Sequence, residues 1–146
     1  IKSLRMQPDE LEKHVEDLFV KYDAIKKNFT KFEAKDLEDA EIVFVAFGTV
    51  ARLTREAIEL LADKGIKAGL IRPISLWPFP YEAFDNLSSK TKVVISTELS
   101  MGQMIDDVKL GVNGKVPVRL VNRTGGIVPT SLEIMEKAMK ILEELK

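Results

Sequence analysis

The chain contains no cysteine in its 146 residues. That absence removes disulfides, thiolate catalysis, cysteine zinc sites and iron–sulfur ligation in one step. Histidine is nearly absent too: His14 is the only one. It flanks the apolar side of a helical segment and reads as a rim residue, since catalysis would need a partner nearby. Excess charge of one sign is also lacking. Twenty-two basic and 23 acidic residues give a net charge of −1, with no lysine/arginine stripe, so phosphate-driven nucleic-acid binding has little support. No apolar run approaches the roughly 20 residues that span a bilayer, and a signal peptide is not expected from the opening residues. The location expected by default is the cytoplasm. Neither G-x-G-x-x-G nor G-x-x-x-x-G-K-[ST] occurs, so Gly48-Thr49 after an apolar run reads as a tight strand-to-helix turn rather than a phosphate loop. The first residue is isoleucine, and the chain is expected to be a fragment of a longer polypeptide.

What is present is a soluble-domain composition, 45% apolar and 31% charged, of a size that buries about two thirds of its unfolded surface. Pro8-Asp9-Glu10 opens a helix. Leu11, Val15, Leu18, Tyr22 and Ile25 then recur at spacings of 4, 3, 4 and 3, with Phe19 beside them, which predicts an amphipathic helix to about Lys27. Phe29 to Lys35 alternates loosely, as a short edge strand does, and Asp36 to Glu41 is an acidic hinge. Residues 1–29 are accordingly read as an N-terminal helix and linker, and 30–146 as one α/β domain. Ile42 to Phe47 is continuously apolar, as a strand buried on both faces reads. Thr49 is placed to cap the next helix, which carries Val50, Leu53, Ala57, Ile58 and Leu61 and stops at Lys64-Gly65. Further strands are expected at Ala68–Ile71, Val93–Thr97 and Val116–Val121, with Pro117 placing the last at an edge. A short helix or turn covers Tyr81–Leu87. Met101, Met104, Ile105, Val108 and Val112 mark a helix closed by Asn113-Gly114. Thr130-Ser131-Leu132-Glu133 is a capping box for the last helix. Strands alternating with helices give an α/β domain with a largely parallel sheet.

The most informative stretch is Leu70-Ile-Arg-Pro-Ile-Ser-Leu-Trp-Pro-Phe-Pro80. Its prolines exclude helix and central strand, so a buried strand ends in a stiff loop bearing a guanidinium and a large aromatic. A loop this rigid and apolar is built to be covered. Four segments gather at the carboxyl edge of such a sheet: Phe47-Gly48-Thr49, Arg72–Pro80, Glu98–Gln103 and Asn122–Pro129. Within them the candidates are Arg72, Pro73, Trp77, Phe79, Glu98, Gly102, Gln103, Arg123, Gly125 and Gly126. Glu98 suits a structural carboxylate tying two loops together, with Arg72 or Gln103 as partner, better than an acid/base role. Gly125-Gly126 suits a plain turn or an anion-holding nest, with Arg123 at hand to bind phosphate or carboxylate. Asp106 and Asp107 diverge by about 100° on a helix and do not share a metal simply.

The ordered series Ile42–Gly48, Leu70–Pro80, Glu98-Leu-Ser-Met-Gly-Gln-Met104 with Asp107, Val112-Asn-Gly-Lys-Val-Pro-Val118 and Arg123-Thr-Gly-Gly-Ile-Val-Pro-Thr130 resembles the C-terminal part of the alpha subunit of 2-oxoacid:ferredoxin oxidoreductases, nearest the 2-ketoisovalerate branch. The resemblance covers residues 30–145. It implies a three-layer α/β/α fold of the transketolase C-terminal type, five-stranded and mostly parallel, with residues 31–35 as an antiparallel edge strand. It implies that the complete complex decarboxylates a 2-oxoacid oxidatively on thiamine diphosphate and passes electrons through iron–sulfur clusters to ferredoxin, forming an acyl-CoA. Those cofactors would lie on other domains and subunits, none on this chain, and ferredoxin would be an indirect partner. This domain would then serve assembly, with Arg72 pinning the proline loop to a carboxylate such as Glu98, and Trp77 and Phe79 anchoring an interface. Asn122 stands where the family pattern has glycine before the arginine. The other readings are a free-standing module holding a small anion or nucleotide at Gly48, Arg123 and Gly125-Gly126, or the equivalent domain of a pyruvate dehydrogenase or transketolase.

Overall fold

A computed structural model describes residues 4–145. Helix α1 (Pro8–Phe29) precedes the short strand β1 (Phe32–Lys35). There follow β2 (Ile42–Val45), α2 (Gly48–Ala62), β3 (Ala68–Pro73), a 3-10 turn at Tyr81–Phe84, β4 (Val93–Glu98), α3 (Met104–Val112), β5 (Val118–Asn122) and α4 (Ser131–Glu144). The five strands form one sheet in the order β1-β3-β2-β4-β5. Only β1 is antiparallel, pairing Phe32 with Pro73 and Glu33 with Arg72; β3, β2, β4 and β5 are mutually parallel. The edge positions of β1 and β5 match the expectations from the loose alternation and from Pro117, and the antiparallel direction of β1 is the one the family resemblance implies.

The central strands are apolar throughout because both faces are covered. Ile42, Phe44, Val93 and Ile95 point to one side, against Val50, Ala57 and Leu61 of α2 and Ile134, Ala138 and Leu142 of α4. Val43, Val45 and Val94 point to the other, against Val108 and Val112 of α3 and Phe84 of the 3-10 turn. Helix α2 thus crosses on one face and α3 on the other, which puts the topological switch point at the carboxyl ends of β2 and β4.

Three local expectations are corrected. Thr49 does not cap α2: the N-cap is Phe47 and no side chain accepts there, because Gly48, at φ +59°, turns the chain into the helix one residue earlier. Helix α3 begins at Met104, and Met101 lies outside it, 80% exposed. Helix α1 is amphipathic in sequence, yet none of its residues is buried, because little of this chain packs against it. Its firmest hold on the body is Tyr22, edge-on to Trp77 at 5.7 Å between ring centres. The last helix starts as its capping sequence predicts, the Glu133 N–H donating to Thr130 Oγ1 at 3.1 Å. The Glu133 carboxylate does not reach back to complete the box; Arg123 Nε (2.8 Å) and Lys137 Nζ (2.7 Å) hold it and keep its pKa below the usual carboxylate range.

Candidate functional site: the carboxyl edge of the sheet

The proline loop is fixed from the β1 side. Lys31 O accepts from the N–H groups of Ile74 (2.9 Å) and Ser75 (3.1 Å). Ser75 Oγ accepts from Lys31 N (2.9 Å) and donates to Pro78 O (2.8 Å). The Trp77–Pro78 peptide is cis. Arg72 does not reach Glu98. It sits opposite Glu33 across the antiparallel register, and its Nη1 donates to both oxygens of that carboxylate at 3.1 and 3.2 Å. Arg55 of α2 adds a third contact to Glu33 at 2.8 Å. Arg72 is therefore a pin of the predicted kind on a different carboxylate. Strand pairing selected Glu33, and the linear sequence gives no sign of it.

Glu98 ends β4, 3% exposed, and every bond its carboxylate makes is local. Oε1 accepts from Ser96 Oγ (2.7 Å) and Ile105 N (2.9 Å). Oε2 accepts from Ser100 Oγ (2.7 Å), Gln103 N (2.9 Å) and Met104 N (3.0 Å). A helix leaves its first N–H groups without partners and carries partial positive charge there. Glu98 answers both needs for α3, so the charge is used structurally. The contact with Gln103 runs through the backbone. The loop between them turns at Gly102, φ +107°, where a Cβ would press on Ile105 and Leu120 at 3.2 and 3.3 Å. Asn122 ties the neighbouring loop in, its Nδ2 donating to Ser100 O at 2.6 Å.

The predicted edge residues divide into two groups. Pro73 is buried, and Phe79 is 6% exposed, packed against Tyr81 and Phe84 at 5.3 and 6.1 Å. Phe79 is thus packed into the core beside the 3-10 turn, with its remaining surface lining a hollow at the switch point. Trp77 stays 60% exposed, and Ile74, Leu76, Leu99, Met101, Ile127 and Val128 are exposed with it. Together they make the carboxyl edge a largely apolar rim. Arg123 lies at its border, paired with Glu133, and Gly125 and Gly126 form an exposed turn with positive φ (66° and 83°). Arg123 and the glycines line none of the hollows along this edge.

At the switch point the rim surrounds a hollow of about 350 Å³ lined by Phe47, Leu76, Phe79, Glu98, Leu99, Ser100, Gln103, Met104 and Asp107. Tyr81 and Asp107, which no motif singled out as a pair, meet beside it: the phenol donates to Asp107 Oδ1 at 2.7 Å. Hydrogen bonding to that carboxylate, with burial and its charge, raises the Tyr81 pKa to about 12. The hollow has no lysine, arginine, histidine or cysteine among its lining residues; the Ser100 hydroxyl donates to Glu98, and the Tyr81 phenol to Asp107. Among the described residues no three His, Cys, Asp or Glu side chains are grouped to hold a metal, and no helix is long and apolar enough to cross a membrane.

A doubly wound α/β sheet with one antiparallel edge thus carries an exposed, largely apolar rim at its carboxyl end. The sequence profile of the pyruvate:ferredoxin oxidoreductase core domain II matches residues 40–134, and the chain belongs to that family. It is 40% identical over 144 residues to the ketoisovalerate oxidoreductase subunit VorB of Methanothermobacter marburgensis, covering 99% of this chain and 41% of that one. It is 35% identical over 101 residues to the 2-oxoglutarate synthase subunit KorA of Archaeoglobus fulgidus, covering 69% and 28%. The chain thus spans about two fifths of the ketoisovalerate relative's length. Among solved structures, the 2-oxoglutarate:ferredoxin oxidoreductase from Magnetococcus marinus, with 2-oxoglutarate, coenzyme A and succinyl-CoA bound, superposes with a TM-score of 0.77 at 22% identity, over 97% of this chain and 24% of that one. A split-gene transketolase, an inactive beta4 tetramer, superposes at 0.64 and 20% identity over 78% and 42%. At those identities the structural likeness establishes the fold.

Proposed function

We propose that this chain is the non-catalytic assembly domain of the alpha subunit of a cytoplasmic 2-oxoacid:ferredoxin oxidoreductase, nearest the ketoisovalerate branch. The complete complex would convert a 2-oxoacid to an acyl-CoA with reduction of ferredoxin, and this domain would hold its neighbours in place. The observation that supports the reading is the carboxyl edge: exposed, largely apolar, and with its buried carboxylate, Glu98, taken up by the start of α3. The domain body would start near residue 30.

The residues present do not fit the cofactors such a complex needs. A diphosphate calls for cations or a metal-bearing acidic cluster, and the hollow offers carboxylates and apolar side chains. An iron–sulfur cluster calls for cysteine thiolates, and the chain has none. On this reading thiamine diphosphate and the clusters belong to other parts of the complex, as does coenzyme A.

The test is Trp77→Ala in the complete complex. Trp77 is 60% exposed and meets Tyr22 of α1 edge-on, so the α/β core should keep its fold while association with the neighbouring subunits weakens about tenfold, the effect of losing roughly 1.4 kcal/mol of anchor burial. Unchanged assembly at micromolar dilution would sink the reading.

A further inference from the structure

We infer that the hollow at the switch point is a socket for a segment of a neighbouring domain or subunit that inserts a bulky apolar side chain beside a lysine or arginine. The inference rests on the assembly reading and specifies the chemistry of the partner at that edge.

Size and lining set the first half. Phe47, Leu76, Phe79, Leu99 and Met104 come from the loops after three different strands and enclose about 350 Å³, near the low end of the range in which protein pockets bury a compact group. The floor is rigid. Glu98 locks the start of α3 with five accepted hydrogen bonds, and Ser75 and Lys31 lock the opposite wall. A preformed apolar recess of this kind takes an apolar side chain without paying much to reorganise.

Charge sets the second half. The hollow presents two carboxylates. Glu98 is consumed by donors from its own chain, but Asp107 accepts only from Tyr81 and has no cationic partner among the described residues. Lys26 and Lys27 of α1 border the adjacent cleft with Asp107, yet neither forms an ion pair with it, and Lys26 is paired with Asp23 at 3.2 Å. Burying that edge under another protein would strand the Asp107 charge unless the partner supplied a cation. A partner that is apolar alone, or acidic, therefore fits poorly.

The experiment uses the assembled complex. Asp107→Asn keeps the volume and the acceptor for Tyr81, and it should weaken association about threefold while flattening the dependence of affinity on salt; Asp107→Lys should weaken it at least about tenfold, since a rim cation would now face a cation. A photoreactive phenylalanine analogue at Leu99, which is exposed at the mouth, should cross-link to a peptide carrying a lysine or arginine within two residues of the captured apolar side chain. Changing that basic residue to aspartate should restore assembly of the Asp107→Lys variant. Cross-linking to an acidic or wholly uncharged segment, to a second copy of this chain, or to nothing overturns the socket, as does normal assembly of the Asp107→Lys variant. If that variant assembles while Trp77→Ala does not, the socket fails and the assembly reading stands. If both assemble normally, both readings fail.

Discussion

Glu98 is the residue on which the local order of the carboxyl edge depends. Three backbone N–H groups and two hydroxyls converge on one buried carboxylate, and glutamine can offer only one acceptor oxygen while its amide points donors at donors. Glu98→Gln should therefore lower unfolding free energy by about 2–3 kcal/mol in urea titrations, the range for losing charged hydrogen bonds in a buried site. A midpoint that does not move would show that water replaces the carboxylate at no cost. Tyr81 gives a prediction in pH. The folded state holds its phenolic proton to about 12, whereas an unfolded chain releases it near 10.0. Between those limits the unfolded state binds fewer protons, so the stability contributed by the Tyr81–Asp107 bond is intact below pH 10 and falls as pH rises towards 12. In a Tyr22→Phe background the single remaining tyrosine should ionise near 12, and Tyr81→Phe should flatten the decline of stability across this window. Neither the bond nor the shift was legible in the sequence, because residues 26 apart meet only when the 3-10 turn lies on α3.

At the scale of elements, burial on both faces leaves an unbroken apolar run, and such runs placed β2, β3 and β4 to within a few positions, as helical spacing placed the helices. The misses sit at ends, where hydrogen bonding decides. Met101 keeps helical spacing with Ile105 and Val108, but Glu98 draws N–H groups from Gln103 onward and so starts α3 at Met104. Gly111 shows packing that no local signal carries. It lies inside α3, and a Cβ there would stand 2.5 Å from Phe84 Cδ2. Gly111→Ala should therefore destabilise by about 1–2 kcal/mol through overpacking, despite the better helix propensity of alanine. A gain in thermal midpoint would mean that Phe84 yields without cost. Helix α1 shows the converse: its periodicity was plain, and its lack of buried residues was not, because period 3.6 reveals that a face is apolar and never what covers it.

For the whole molecule, the two ends of the sheet differ in kind. The amino edge carries Lys67 and Lys90 on Asp39 and Lys92 on Glu41, pairs that hold the Asp39 pKa below its usual value and stay exposed. The carboxyl edge carries Trp77, Leu99, Met101 and Ile127 in the open. If docking belongs to the carboxyl edge, Lys67→Ala with Lys90→Ala should leave assembly of the complex untouched in size-exclusion and co-purification measurements. A loss as large as that expected for Trp77→Ala would move the interface to the other end. The asymmetry follows from the parallel topology, which delivers every strand-to-helix loop of one kind to one edge.

Composition, periodicity and the missing N–H of proline are enough to give the class of fold, the sheet's mostly parallel character, the exclusion of cysteine chemistry and the stiffness of the segment after Ile71. Only the tertiary structure decided that Arg72 meets Glu33, that Phe79 is core while Trp77 is surface, that Glu98 caps α3, and that Asp107 stands beside an apolar hollow without a cation. Those outcomes depend on strand register and on which loops converge in space, and contacts between residues distant in the chain leave no period for a linear pattern to display.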